Sequence, residues 1–510
     1  MHSSATEPLK DPVTPGDIPE AEALLSQGRA ADALKITSRL VAEPAPTHQA
    51  LATHAFTLKA LRRLQEALAF NEQATRDYAQ SPIAWHNLAA TLGDLGRVEA
   101  AIPAVKRAMA LGLDRGPTWH VYARALLATG AMDEAERAYR ETLKRPPLTL
   151  EATAELANVI WMRRGDMAAA QAVLDEAFRA GGPPGPLVIA KAKLFEAAGD
   201  VEASARLLSA AVERMPGDLV VLLAAAQSAI ELGYRKEGWE LAKTAESMAG
   251  DEPAVLNQLA IAELARGAPG EALAVARRGL AIAPEHQSLI GWAAAAARAA
   301  GDPLYETLYD YDAFVGVYEI ETPSGWPSLA AYLTDLAATL NRMHPYEQHP
   351  FHQSIRHGSQ TMQPLTASTD PVLGAFFQAV DKPIRAHMKR LGKGSDPFRR
   401  RNASDYHFDT AWSVLLRPGG FHKDHFHPQG WISSAFYVET PEGALDTAEK
   451  QGWIRFGRPP LELDPPMAPA RYVRPKPGRL VLFPSYMWHG TEPFTTDERR
   501  MTIAFDAVPA

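Results

Sequence analysis

Four residues that could hold a metal fall within six positions: His422, Asp424, His425 and His427, in the run Arg417 to Val438, RPGGFHKDHFHPQGWISSAFYV. A second run, Arg479 to Ala507, RLVLFPSYMWHGTEPFTTDERRMTIAFDA, adds His489 and, eleven residues on, Arg500. Side chains two apart on a strand share a face, so His425 and His427 reach one ion, and His422 with Asp424 form a competing pair on the other face. His489, just past an apolar run, is placed to supply a distant third ligand. Such a set leaves open positions and suits non-haem Fe(II). Arg500 opens the strand MTIAFDA, and a fixed guanidinium beside an ion holds a dicarboxylate by a two-point salt bridge. Arg499 is its rival, but Arg500 fits the alternation Met501, Ile503, Phe505 better. Asp506 reads as an ordinary strand-end residue, and His387 and His407 as satisfied core or surface histidines.

These residues need strands to carry them. AWSVLLR, WISSAFYVE, RLVLFP and MTIAFDA alternate as short strands, separated by the Gly/Pro clusters RPGG, HPQG, TPEG and RPKPG. Ahead of them, apolar spacing predicts helices over 328–343 and 371–391, with HPFHQSIRHGSQTMQPL between them as loop or edge strand. Helices followed by short strands imply a jelly-roll barrel covered by helices on one face. Candidate pocket walls are Trp412, Ser413, Trp431 and Tyr437.

The first three hundred residues follow a different rule. Glycines recur at Gly28, Gly96, Gly130, Gly165, Gly199, Gly233, Gly267 and Gly301, a period of 34 residues with Arg62 at the missing place. Five residues after each register point before Gly301 stands a small side chain: Ala33, Ala67, Ala101, Ala135, Ala170, Ser204, Gly238 and Ala272. The glycine permits a turn between two helices, and the small residue lets the second helix press on the first. With Trp119, Tyr122, Gly130, Ala135, Tyr139 and Pro146 in one unit, the pattern resembles the tetratricopeptide repeat over about residues 14 to 301. That resemblance implies a superhelix with an extended surface for a peptide or protein partner.

Bulk composition sets outer limits. At 510 residues two or more domains are expected. There are no cysteines, which removes disulfides, thiolate zinc and iron–sulfur centres. A net charge of −8 argues against nucleic acid as the main partner. No apolar run approaches a membrane span. The opening MHSSATEPLKDPVTPGDIPE lacks the regions of a secretory signal. The expectation is a cytoplasmic protein with residues 1–13 disordered, 14–301 the repeat array, 302–327 a junction and 328–510 the site-bearing domain.

The ordered motifs PGGFHKDHFH, GWISSAFYV, PKPGRLVLFPSYMWHG and RMTIAF resemble the Fe(II)- and 2-oxoglutarate-dependent oxygenases, closest to a bacterial branch with an HxHP motif. HQSIRHGSQT is similar to a loop of the same branch. The resemblance implies a double-stranded β-helix, Fe(II) and 2-oxoglutarate as cofactors, and O2 as cosubstrate. It makes His425 the first metal ligand, His489 the distal one, and Arg500 the clamp on 2-oxoglutarate, with Tyr437, Ser413 and Trp412 beside it. One position departs: the superfamily's first motif is HxD or HxE, and His427 stands at the carboxylate place. Three readings stay open. His427 ligates; or it stands aside and leaves two histidines and a water, as in the aspartyl/asparaginyl β-hydroxylases; or His422 and Asp424 form a shifted HxD pair. The function implied is hydroxylation of a peptide or protein captured by the repeats. The rival is a non-catalytic metal- or partner-binding scaffold with a degenerate barrel, and a lesser option is a sensor whose metal changes partner affinity.

Overall fold

The structure is a computed structural model, and it describes residues 14, 16–146, 149–351 and 353–510. The expected disorder of residues 1–13 lies outside the described residues. Helices run in sequence from Asp17–Ser26 to Gln287–Ala300, each packed against the next from Asp17–Ser26 to Met132–Leu143 and again from Met167–Arg179 to Gln287–Ala300. Every one of the periodic glycines has a positive φ, from 62° at Gly165 to 86° at Gly199, and so ends its helix in the left-handed turn. Arg62 adopts the same conformation, φ 62°, at the place where the glycine is missing. The small residues five positions later are buried. At Gly238 an added Cβ would collide with the Ile230 side chain and sit 2.9 Å from the Ala226 carbonyl oxygen. The paired helices of the expected repeat are therefore present, turn by turn.

The chain forms two compact units, Met1–Ala152 and Thr153–Ala510. The second holds the later repeat helices and all the strands. Its largest core cluster extends from Ala226 through Trp292 to Phe483 and Ala507, so the last repeats and the strands share one apolar interior.

The strands form two antiparallel sheets. The larger uses β1 (Gly316–Glu319), β2 (Ile355–Gln360), β3 (Tyr406–His422), β4 (Ile432–Glu439), β7 (Arg479–Pro484) and β9 (Arg500–Pro509), in the order β1-β7-β4-β9-β3-β2. The smaller uses β5 (Ile454–Phe456), β6 (Arg471–Val473) and β8 (His489–Thr491), in the order β6-β5-β8. β3 and β9 pair from Tyr406↔Pro509 to Leu416↔Arg500. The four strands expected from alternation are β3, β4, β7 and β9, and the polar segment read as loop or edge strand contains β2, which is indeed an edge. The jelly-roll expectation needs one correction. Among the described residues no barrel closes, because β1 and β2 end the larger sheet without pairing to each other.

The expected helices are Leu329–Asn341 and Pro371–Leu391. The second starts on Pro371, whose missing N–H costs nothing at a helix start, and Asp370 caps it by accepting from Val372 N–H at 2.8 Å. Its apolar face, with Phe376 on Phe436 and Phe505, covers the large sheet. No helix among the described residues is long and apolar enough to cross a membrane.

Candidate metal centre

The segment after β3 crosses to the smaller sheet and sets two histidines opposite each other. His425 and His489 exchange both backbone hydrogen bonds, at 2.8 and 2.9 Å. His427 N–H donates to Ser485 O at 2.8 Å, which fixes the third imidazole two residues on. One nitrogen of each of His425, His427 and His489 lies within 4.8 Å of the others. Their ring centroids are 4.2 Å apart for His425 and His489, 5.1 Å for His427 and His489, and 5.3 Å for His425 and His427.

The other ring nitrogen of each histidine is engaged. Nδ1 of His425 is 2.9 Å from Lys423 O, and Nδ1 of His489 is 2.9 Å from Met487 O. A carbonyl only accepts, so each Nδ1 carries the proton and each Nε2 keeps its lone pair. Nδ1 of His427 is 2.6 Å from Asp506 Oδ1. Burial, and then the neighbouring His427, lower His425 to about 4. Burial, followed by His425 and His427, holds His489 well below the usual histidine range. Both imidazoles are thus neutral at physiological pH, the form that binds a metal.

The histidines line a cavity of about 340 Å³ between the two sheets, together with Trp412, Thr502 and Arg500. Arg500 is 2% exposed. Its guanidinium lies over the Tyr437 ring at 5.0 Å. Its Nε has no hydrogen-bond partner, and no carboxylate among the described residues pairs with it. The Tyr437 hydroxyl is equally unpartnered, and burial pushes its pKa up. A buried cation without a counter-ion is costly, and here it borders a cavity wide enough for a small anion. The donor set and the orphaned Arg500 and Tyr437 atoms fit a metal with a bound dicarboxylate.

The remaining expected residues divide between the cavity wall and contacts away from it. His422 borders the cavity, its ring stacked 5.6 Å from that of His425 and its Nδ1 3.1 Å from Ser354 Oγ. Asp424 is bound by Arg455, at 2.9 and 3.0 Å, and by Arg458, at 2.8 Å. Its carboxylate is therefore turned from the histidine group. Trp412 faces the cavity, 5.4 Å ring to ring from His427. Ser413, its neighbour on β3, faces the opposite way, and its hydroxyl is 3.0 Å from His344 Nε2. The expectation of Ser413 at the cofactor thus gives way to a structural contact. Trp431 is core, donating to Phe398 O at 2.8 Å. Arg499 pairs with Glu439 at the surface. Asp506 is the residue that sequence reasoning undervalued. The signal was an acid inside an otherwise apolar strand, and its partner Ser433 emerges only from the β4–β9 register.

The segment that carries His489 is anchored on the repeats. Trp488 Nε1 donates to Gly291 O at 3.0 Å, Trp488 N–H donates to the Tyr309 hydroxyl at 2.8 Å, and the Trp488 ring meets Trp292 edge-on at 4.8 Å. An added Cβ at Gly291 would lie 3.0 Å from Tyr486 O, so glycine permits this approach.

Residues 410–506 match the sequence model of a family described as "Putative 2OG-Fe(II) oxygenase", that is, 2-oxoglutarate and Fe(II). No curated protein matches the chain. Solved structures similar to it include a tetratricopeptide repeat protein from Parabacteroides merdae, at 15% identity and TM-score 0.33, covering 48% of this chain and 97% of that one. The C-terminal part of a TPR repeat-containing protein from Cytophaga hutchinsonii is similar at 13% identity and TM-score 0.33, covering 47% and 98%. The repeat assignment itself rests on the helix pairs and their period. The chain thus joins helix-pair repeats of 34-residue period to a C-terminal two-sheet domain, of which residues 410–506 match the 2OG-Fe(II) oxygenase family model.

Proposed function

We propose that the protein is an Fe(II)- and 2-oxoglutarate-dependent oxygenase that hydroxylates a peptide or protein held by its repeat helices. The observation that carries this reading is the meeting, in one cavity, of three imidazoles and a buried guanidinium without a counter-ion. His425, His427 and His489 would hold the metal. Arg500, with the Tyr437 hydroxyl beside it, would hold the distal carboxylate of 2-oxoglutarate by charge-assisted hydrogen bonds. Trp412 would wall the cavity and exclude water. When bound, Fe(II) and 2-oxoglutarate supply the oxidation: O2 is consumed, 2-oxoglutarate becomes succinate and CO2, and one oxygen atom goes to the substrate. The protein's share is to orient and to keep water out.

The repeat helices support a macromolecular substrate. Glu196 and Glu231, on the later repeat helices, act electrostatically on Arg356 and Lys423, which flank the histidine segment. An extended chain lying along those helices would therefore meet polar, mixed charge near the cavity. The division into a repeat array over 14–301, a junction over 302–327 and an oxygenase domain over 328–510 belongs to this proposal. So does the cytoplasm as the compartment that supplies 2-oxoglutarate and Fe(II).

The test is turnover on a captured partner. With Fe(II), 2-oxoglutarate and O2, the reading expects succinate release and a one-oxygen mass gain on that partner, both lost in His489→Ala. Partner capture with no 2-oxoglutarate consumption, unchanged in His489→Ala, would establish a non-catalytic scaffold instead.

A further inference from the structure

The geometry points to Asp506 as the carboxylate of this metal site, moved one residue behind the ligand: a positioning residue that acts on the metal through His427. The inference rests on the metal-binding role proposed for the three histidines, and it accounts for the histidine that stands where the family motif has an acid.

Asp506 is 6% exposed. Its Oδ1 is 2.6 Å from His427 Nδ1 and accepts from Ser433 Oγ at 2.6 Å. Ser433 Oγ is also 2.9 Å from His427 Nδ1 and 2.8 Å from Ser485 Oγ, and both serines are fully buried. The β4–β9 register sets Ser433 directly opposite Asp506. The same Ser485 takes the His427 N–H through its carbonyl. Gly430 completes the enclosure, since a Cβ there would run into Ser485 Oγ and lie 3.0 Å from Asp506 Cγ. Asp506 has no lysine or arginine partner among the described residues.

A buried carboxylate facing an imidazole and a hydroxyl is expensive unless positive charge lies within reach. An ion held by the far nitrogen of His427 would supply that charge. An ionised carboxylate only accepts, so it fixes the proton on Nδ1 and leaves the Nε2 lone pair toward the cavity. His425 and His489 rest on backbone carbonyls, so His427 is the one imidazole of the three that is backed by a carboxylate. The site then carries the same total charge as two histidines and a carboxylate. The acid is displaced from the metal by one imidazole and is not lost. Outer carboxylates of this kind orient the ring and raise its basicity.

The experiment reads metal affinity, without turnover. The full-length protein, stripped of metal, is titrated anaerobically with Fe(II), and in parallel with Co(II), whose visible absorption reports the ligand set. Asp506→Asn keeps the shape and removes the charge, and is expected to weaken binding by about 10–100-fold. His427→Asp sets two carboxylates side by side and is expected to bind poorly. His427→Asp combined with Asp506→Asn places one carboxylate on the metal and none behind it, and is expected to recover affinity over His427→Asp alone. Unchanged affinity in Asp506→Asn, or equal affinity of the two His427→Asp proteins, would overturn the inference while leaving the metal site intact. A wild-type protein that binds neither ion would overturn the metal site itself. Because the two His427→Asp proteins are compared with each other, any loss of stability in Asp506→Asn alone does not decide the outcome.

Discussion

Each of the three imidazoles presents one nitrogen to the cavity because something holds the other. Lys423 O, Met487 O and Asp506 are those holders, and two of the three are backbone atoms whose positions follow from the His425–His489 bridge. Removing a ligand should therefore remove the metal and leave the fold. His489→Ala is expected to abolish Fe(II) uptake in anaerobic calorimetry, with the thermal transition of the metal-free protein retained. Arg500 should divide differently. Arg500→Lys keeps the charge and loses the planar fork, so 2-oxoglutarate affinity should fall by about 10-fold or more while Fe(II) affinity holds. At this scale the sequence was partly legible. That His425, His427, His489 and Arg500 would meet was expected from spacing and strand alternation, and they border one cavity. Asp506 could not be weighed, because its partner His427 lies 79 residues away and is reached only through register. Asp424, the acid of the alternative pair with His422, is held instead by Arg455 and Arg458.

The helices and strands show where local pattern suffices. The 34-residue period places each repeat turn, since only residues tolerant of positive φ end these helices at low cost. Arg62 tests that statement. A non-glycine residue in the left-handed region is strained, so Arg62→Gly should raise stability by about 0.5–1 kcal/mol in denaturant titration. Gly238→Val should do the opposite, by about 1–3 kcal/mol, because its side chain would meet Ile230 and the Ala226 carbonyl. The long strands β3, β4, β7 and β9 were readable from alternation. The smaller sheet was not: β5, β6 and β8 are three residues each, too short for a period to show, and long-range pairing alone defines them. β1 was hidden in the same way, inside the tyrosine-rich junction. Yet β8 begins with His489, so the least legible element supplies one of the three clustered imidazoles.

In the second compact unit, repeats and sheets share a core, and the Trp488 anchor ties the His489 segment to the helix Gln287–Ala300. A fragment of residues 302–510 would expose Tyr486, Trp488 and the face that meets Trp292, and is expected to lack a cooperative unfolding transition. Acid should also act on the whole chain. Burial lowers His54 and His86 in the first unit, and His344 and His349 in the second, from 6.5 to about 4. Each is held neutral in the fold, so the unfolded chain takes up protons first as pH falls. Stability should be level above pH 6.5 and decline between 6.5 and about 4, as thermal melts across that range will show. The histidines and Arg500 are expected to act as one coupled site, serving a single bound pair. Anaerobic calorimetry of 2-oxoglutarate tests it most directly. The prediction is binding that requires Fe(II) and disappears in His489→Ala. Binding that is indifferent to Fe(II), or that survives unchanged in His489→Ala, would contradict it.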